Sequence, residues 1–213
     1  FATPIVSSVA GHVWQSLDGN PDVAVAPHMV KALLIHAARL ASPDYGALER
    51  RYYGCGIPQD ALSALYDSDD CFTMMFEALV VPGFKWRKTP YPIPASLMHH
   101  GKLRAEVIIT AAYSPPLDPN AGAAYVRATV YVSFGVLDAS RISGKVPLEG
   151  EAGTTGYEAA QIEHGGKWSP VKLHRKKFPQ GVAGDQWAIQ LDALLRANEP
   201  PLAEPLNVAL VVS

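Results

Sequence analysis

The stretch from Ile5 to Ser16 carries no formal charge, and it follows directly on Phe1-Ala2-Thr3-Pro4. This combination predicts a helix. Pro4 suits a first helical turn, where a backbone N–H lacks an intrahelical partner in any case. Thr3 beside it is a good N-cap. The residues that follow are small or apolar on nearly every face, and a helix of that kind is normally buried all round at the centre of a domain. The chain opens on it, with Phe1 and no Met, so nothing precedes the helix to bury it. The expectation is a processed or trimmed piece that starts in the middle of a domain.

Composition narrows the classes. The chain has 213 residues, enough for one large or two small domains, and a net charge of -2 with no large basic or acidic excess. That balance argues against a nucleic-acid partner and against a disordered acidic tail. No apolar run reaches membrane-spanning length. Cys55 and Cys71 make no disulfide framework and read as small buried thiols, which leans toward a reducing, cytoplasmic compartment.

Asp18-Gly19-Asn20-Pro21 closes the first helix. A second helix is expected from Pro27 to Leu40, with Val30, Leu33, Leu34, Ala37 and Leu40 on one apolar face. His36 lies beside that face and reads as a partly buried helix histidine rather than a catalytic one. After the Ser42-Pro43-Asp44-Tyr45-Gly46 break comes Tyr53-Gly54-Cys55-Gly56-Ile57-Pro58, then Ala64-Leu65. The glycines permit a sharp turn and Pro58 opens a short helix.

Phe1-Ala2-Thr3-Pro4 resembles the end of the Gly-Thr-Ser-x-Ala-Thr-Pro motif of subtilisin-like serine proteases (subtilases). In that family the nucleophilic serine stands at the N-terminus of a buried helix. Gly11 falls where subtilases often place a helix glycine. The segment Tyr53-Gly54, Gly56, Pro58, Ala64-Leu65 is similar to the Gly-Tyr-Gly-x-(Val/Pro) segment that ends their catalytic domains. The pieces occur in the family's order over about the first third of the chain. On this resemblance residues 1–68 are the last helices of a catalytic domain, and residues 69–213 are a C-terminal domain.

Beyond Cys71 the period changes. Pro82-Gly83 separates an apolar run, Phe72 to Val81, from Phe84 to Arg87, and Pro90, Pro92 and Pro94 exclude a helix. Leu103, Ala105, Val107 and Ile109 alternate with Arg104, Glu106, Ile108 and Thr110, which predicts a half-buried strand. Val126 to Phe134 alternates in the same way. The two strands, separated by the turn Ser114 to Gly122, are expected as a hairpin or as neighbours in one sheet. Residues 137–166 read as a mobile excursion with a short helix near Glu158 to Glu163. Trp168 to Phe178, Trp187 to Leu195 and Asn207 to Ser213 are further strand candidates. The fold class predicted is α+β: a helical remnant of a subtilase α/β catalytic domain, then an antiparallel β-sandwich.

Little in the chain marks chemistry of its own. His99-His100 reads as a solvated loop pair, because neighbours on a strand point to opposite faces. No His-x-x-x-His or Cys-x-x-Cys pair is present. Asp67, Asp69 and Asp70 crowd one turn but lack the glycine and glutamate of an EF-hand loop. Lys172, His174, Arg175, Lys176 and Lys177 form a basic cluster, read as the solvated face of a strand with contact to an acidic partner as the alternative. Trp86, Trp168 and Trp187 read as sandwich-core or rim aromatics. No metal and no cofactor is expected.

The resemblance implies a parent that hydrolyses peptide bonds through Asp, His and Ser, all of them upstream of this chain. The serine would immediately precede Phe1. Phe1 would then line the leaving-group side of the substrate cleft, and Ala2, Thr3 and Pro4 would support the nucleophile helix. The implied partners are the remainder of the catalytic domain and a protein or peptide substrate. The Pro-rich sandwich is also similar to bacterial subtilases encoded beside an AAA-type ATPase, which would add that ATPase as a partner. Severed from its sheet, the first helix is expected to find shelter in a second copy, in a neighbouring molecule or on the sandwich, so self-association through it is expected. The alternative reading is a non-enzymatic β-sandwich module that binds a protein.

Overall fold

Pro27 and the apolar stripe behind it place the second helix where periodicity puts it. A computed structural model describes residues 2–21, 23–43, 45, 49, 52–58, 61, 71–149 and 168–213. Helix α1 spans Ala2–Asp18 and α2 spans Pro27–Ala41. Among the described residues the strands are β1 (Met74–Val80), β2 (Trp86–Lys88), β3 (Met98–His99), β4 (Lys102–Leu103), β5 (Glu106–Tyr113), β6 (Ala128–Asp138), β7 (Arg141–Gly144), β8 (Val171–Lys177), β9 (Val182–Ala183), β10 (Trp187–Leu195) and β11 (Leu206–Val212). The fold is α+β.

Two four-stranded antiparallel sheets carry the architecture, in the orders β1-β11-β5-β8 and β2-β10-β6-β7. A small sheet, β3-β4-β9, stands beside them. The inward residues of both large sheets form one core. Val107, Ile109, Ala111 and Tyr113 of β5 and Val208 and Leu210 of β11 pack with Val130, Phe134, Ile189 and Leu191 of the other sheet. Tyr91 meets Phe134 edge-on at 5.1 Å, and Trp187 stacks on Phe134 at 5.4 Å between ring centroids. Such pairs add about 0.5–1.5 kcal/mol beyond the area they bury.

The helices use the outer face of the first sheet. Val13 and Leu17 of α1, Met29, Leu33 and Ala37 of α2, and Ala112, Ala209 and Val211 of the sheet share a second core. Ala112 and Ala209 are register partners, and their short side chains leave room for α2. The helical segment is therefore packed on the sandwich through α2.

Several expectations change. Strand β5 is buried on both faces, not half-buried, because Ile108, Thr110 and Ala112 lie on the face that α2 covers. β5 and β6 are neither a hairpin nor sheet neighbours; they belong to opposite sheets. The connection between them, with a 3-10 segment over Pro119–Ala124 and a bridge from Leu117 to Val126, is long enough to cross between layers. β7 and the tail of β6 occupy ground expected to be an excursion, and residues 146–149 lie along β8, with Glu149 N–H donating to Leu173 O at 2.7 Å. The helix expected near Glu158 to Glu163 lies outside the described residues.

Helix α1 finds shelter on one face only. It is not buried all round: Val13 and Leu17 are its buried residues, while Ile5 is 65 % and Trp14 40 % exposed. One line of contact with α2 covers one face and leaves the rest to solvent.

Candidate functional site

Helix α1 begins at Ala2, so Thr3 stands inside the first turn instead of capping it, and Pro4 sits in that turn as expected. A first turn has no intrahelical acceptors for its N–H groups, so the helix extends backward through Ala2 at little cost. Ala2, Thr3 and Pro4 are all exposed. Phe1, the expected substrate-lining residue, lies outside the described residues. A methyl added at Gly11 would meet nothing within 4 Å, so no close approach requires a glycine there.

The glycine-rich turn is built as its sequence requires. Gly54 has φ 58° and Gly56 φ 102°, both left-handed values that favour glycine. Gly56 N–H donates to Tyr53 O at 3.0 Å. A Cβ on Gly56 would fall 1.7 Å from Ser42 Oγ, because the turn is pressed against the C-terminal end of α2. Gly56→Ala is expected to cost about 2–4 kcal/mol, from the left-handed backbone and overpacking together. At Gly54 the same added methyl meets nothing within 4 Å, so Gly54→Ala carries the backbone cost alone, about 1 kcal/mol. Urea midpoints of the two variants, compared with the parent chain, check the difference.

The buried polar centre of the molecule is His36. The ring is fully buried, not partly buried as its sequence position suggested. One ring nitrogen, Nδ1, lies 2.9 Å from Thr110 Oγ1 and the other, Nε2, 2.8 Å from Ser213 Oγ. Ser213 Oγ continues to Thr73 Oγ1 at 2.7 Å. A neutral imidazole has one donor and one acceptor nitrogen, so the two hydroxyls satisfy it completely. The contact ties α2 to β5 and to the end of β11. Burial pushes the His36 pKa down to about 4.

In distance the Ser213–His36 pair resembles a nucleophile and its base. In chemistry it does not. Proton transfer to the ring would create a buried imidazolium, and the groups that hold the ring are hydroxyls, with no carboxylate among them. His36 therefore acts as a neutral staple. Thr110, Ser213 and Thr73 escape notice in the sequence because their pairing spans more than seventy positions. The available signal is His36 itself, set among apolar helix positions where it needs polar partners.

A second tie lies one turn on. Arg39, buried, donates from Nε to both carboxylate oxygens of Glu149, at 2.8 and 3.0 Å, and from a terminal nitrogen to Pro43 O at 2.7 Å. The basic strand is not simply a solvated face. Lys172 and His174 are buried on the inward face of the sheet, as register partners of Ala111 and Ile109, Arg175 pairs with Glu106, and Lys176 and Lys177 are exposed. Neither cysteine forms a disulfide, and both are half-buried. Among the described residues no group of three or more His, Cys, Asp or Glu converges; Asp67, Asp69 and Asp70 lie outside them. No described helix is long and apolar enough to cross a membrane.

Comparison with known proteins adds no assignment: no family model matches the chain, and no curated protein matches it.

Proposed function

We propose that this chain is the C-terminal portion of a subtilisin-like serine endopeptidase whose Asp, His and Ser lie upstream of Phe1. The observation that carries the reading is the first helix. It holds Ala2-Thr3-Pro4 in its opening turn and turns Ile5, Val6 and Trp14 to solvent. Each such side chain gains about 1.5–3 kcal/mol when fully buried, so a covering sheet has much to stabilise. The remainder of a catalytic domain would supply that sheet and set the nucleophile at the N-terminus of the helix, where its dipole favours developing negative charge. The tight Gly54–Gly56 turn, third in the family's order, supports the same reading. Phe1 would border the leaving-group side of the cleft. The chain's part in catalysis is structural, and alone it should hydrolyse nothing. A cytoplasmic setting and an AAA-type ATPase partner belong to the same proposal.

The test is to express the gene with its upstream region and treat the product with a fluorophosphonate probe. Labelling of a serine directly before Phe1, lost on its replacement by alanine, is the expected result. An upstream region without Gly-Thr-Ser, or an unlabelled folded product, overturns the protease reading and leaves the β-sandwich interaction module.

A further inference from the structure

Away from α1, the end of the sandwich bears a concave basic site. We propose that the cleft between the β3–β4 hairpin and the Pro179–Gly181 turn binds the phosphate group of a phosphomonoester. Four potential cations line it: His99, His100, Lys102 and Arg104. Among the described residues no carboxylate lines it. Among the described residues neither Lys102 nor Arg104 has an acidic partner within ion-pair distance. The nearby Glu106 is already engaged by Arg175 and Lys177.

The clustering is not what a stability argument favours. His99 and Lys102 are direct cross-strand partners, and like charges so placed repel whenever the imidazole is protonated. Lys102 and Arg104 both line the cleft. In a chain of net charge -2, these groups converge on one cleft with no carboxylate among its described lining.

The walls are set by backbone. His100 (φ 51°) and Gly101 (φ 72°) form the two-residue turn of the hairpin, both left-handed as a type I′ turn requires. Across the cleft Gly181 has φ 72°, and a Cβ there would lie 2.9 Å from Lys102 Cβ. The opposing turn thus packs directly on the residue that carries the charge. The cleft volume is about 390 Å³, within the range of small-molecule sites. That is more than a bare ion fills, and Pro179 offers an apolar wall to the organic part of an ester. An arginine fork, a lysine point charge and imidazole N–H groups together match the three terminal oxygens of a phosphomonoester.

The experiment is titration calorimetry of the full chain with phenyl phosphate and with inorganic phosphate, at constant ionic strength balanced with chloride. Saturable binding of phenyl phosphate is expected, at least tenfold weaker in the Lys102→Ala/Arg104→Ala double variant. Both side chains are exposed, so the variant should keep the parent's circular dichroism spectrum and urea midpoint. A Lys85→Ala control away from the cleft should bind as the parent does. No saturable binding of either compound, or equal binding by the double variant, overturns the site. Tighter binding of inorganic phosphate than of phenyl phosphate overturns the ester and leaves the free ion as ligand.

Discussion

Lowering the pH from 7 to 5 is expected to destabilise this protein strongly, well before most carboxylates titrate. Two histidines are responsible. His36 is held between hydroxyls of Thr110 and Ser213, and His174 lies on the inward face of β8, with Nδ1 3.3 Å from Val146 O. Burial pushes both down from 6.5 to about 4, and at His174 the charge of Lys172 acts in the same direction while hydrogen bonding to Val146 and Pro147 opposes it. A group whose folded pKa is depressed binds its proton more tightly when unfolded. For a base buried neutral, the stability it contributes is complete above pH 6.5, falls as the pH drops toward 4, and changes no further below that. A displacement of that size corresponds to about 3 kcal/mol for each histidine once the pH is below 4, of which about 2 kcal/mol is lost by pH 5. At pH 5 the two together remove about 4 kcal/mol, a large part of the stability of an ordinary domain, about 5–15 kcal/mol. Urea midpoints measured at half-unit steps from pH 7.5 to 5 should fall steadily below 6.5. In His174→Gln, which keeps a hydrogen-bonding side chain without the titration, the pH dependence should be roughly halved. A parent midpoint that is flat across this range would contradict the assignment of two neutral, buried rings.

Phe134→Ala is the second large effect, with an expected loss of about 3–5 kcal/mol. Phe134 is 2 % exposed and touches both Tyr91 and Trp187, so truncation empties the centre of the inter-sheet core and removes two ring pairs at once. Neighbouring strands are held in register on both sides of β6, by β10 and by β7, which limits collapse into the space. The urea midpoint at pH 7.5 should drop with the slope of the transition unchanged. Phe134→Leu, which keeps most of the volume, should cost less than half as much. A midpoint within experimental error of the parent in Phe134→Ala would show that the two sheets do not share this core.

The contrast between the two kinds of site explains what was readable in advance. Phe134 stands in an alternating run, Val126 to Phe134, whose period of two follows from local backbone geometry. Its place on an inward face could be read without a partner. His36 could be placed beside the apolar face of α2, but its partners come from β5 and the end of β11, and only chain folding brings them together. The basic strand misled for a related reason. Lys172 and His174 alternate with apolar residues, as a solvated face would, yet their register partners Ala111 and Ile109 belong to the inter-sheet core, so the two face inward. Periodicity reports that a strand has two faces; it does not report what later covers each.

The sequence by itself determined the α+β class, the extent of α2, most of the long strands and the glycines that must turn with positive φ. Each depends on short-range geometry: the helical repeat, the strand alternation, and the missing Cβ of Gly54 and Gly56. Only the assembled fold puts β5 and β6 in opposite sheets, packs α2 on the sandwich, and buries Val13 and Leu17 of α1 with Val9 and Ala10 half-covered beside them. It also decided that His36 is a neutral staple and that the groups around Lys102 line one cleft. These outcomes depend on which surfaces meet, and the physical reason is that burial and desolvation are properties of a contact between distant segments, not of either segment alone.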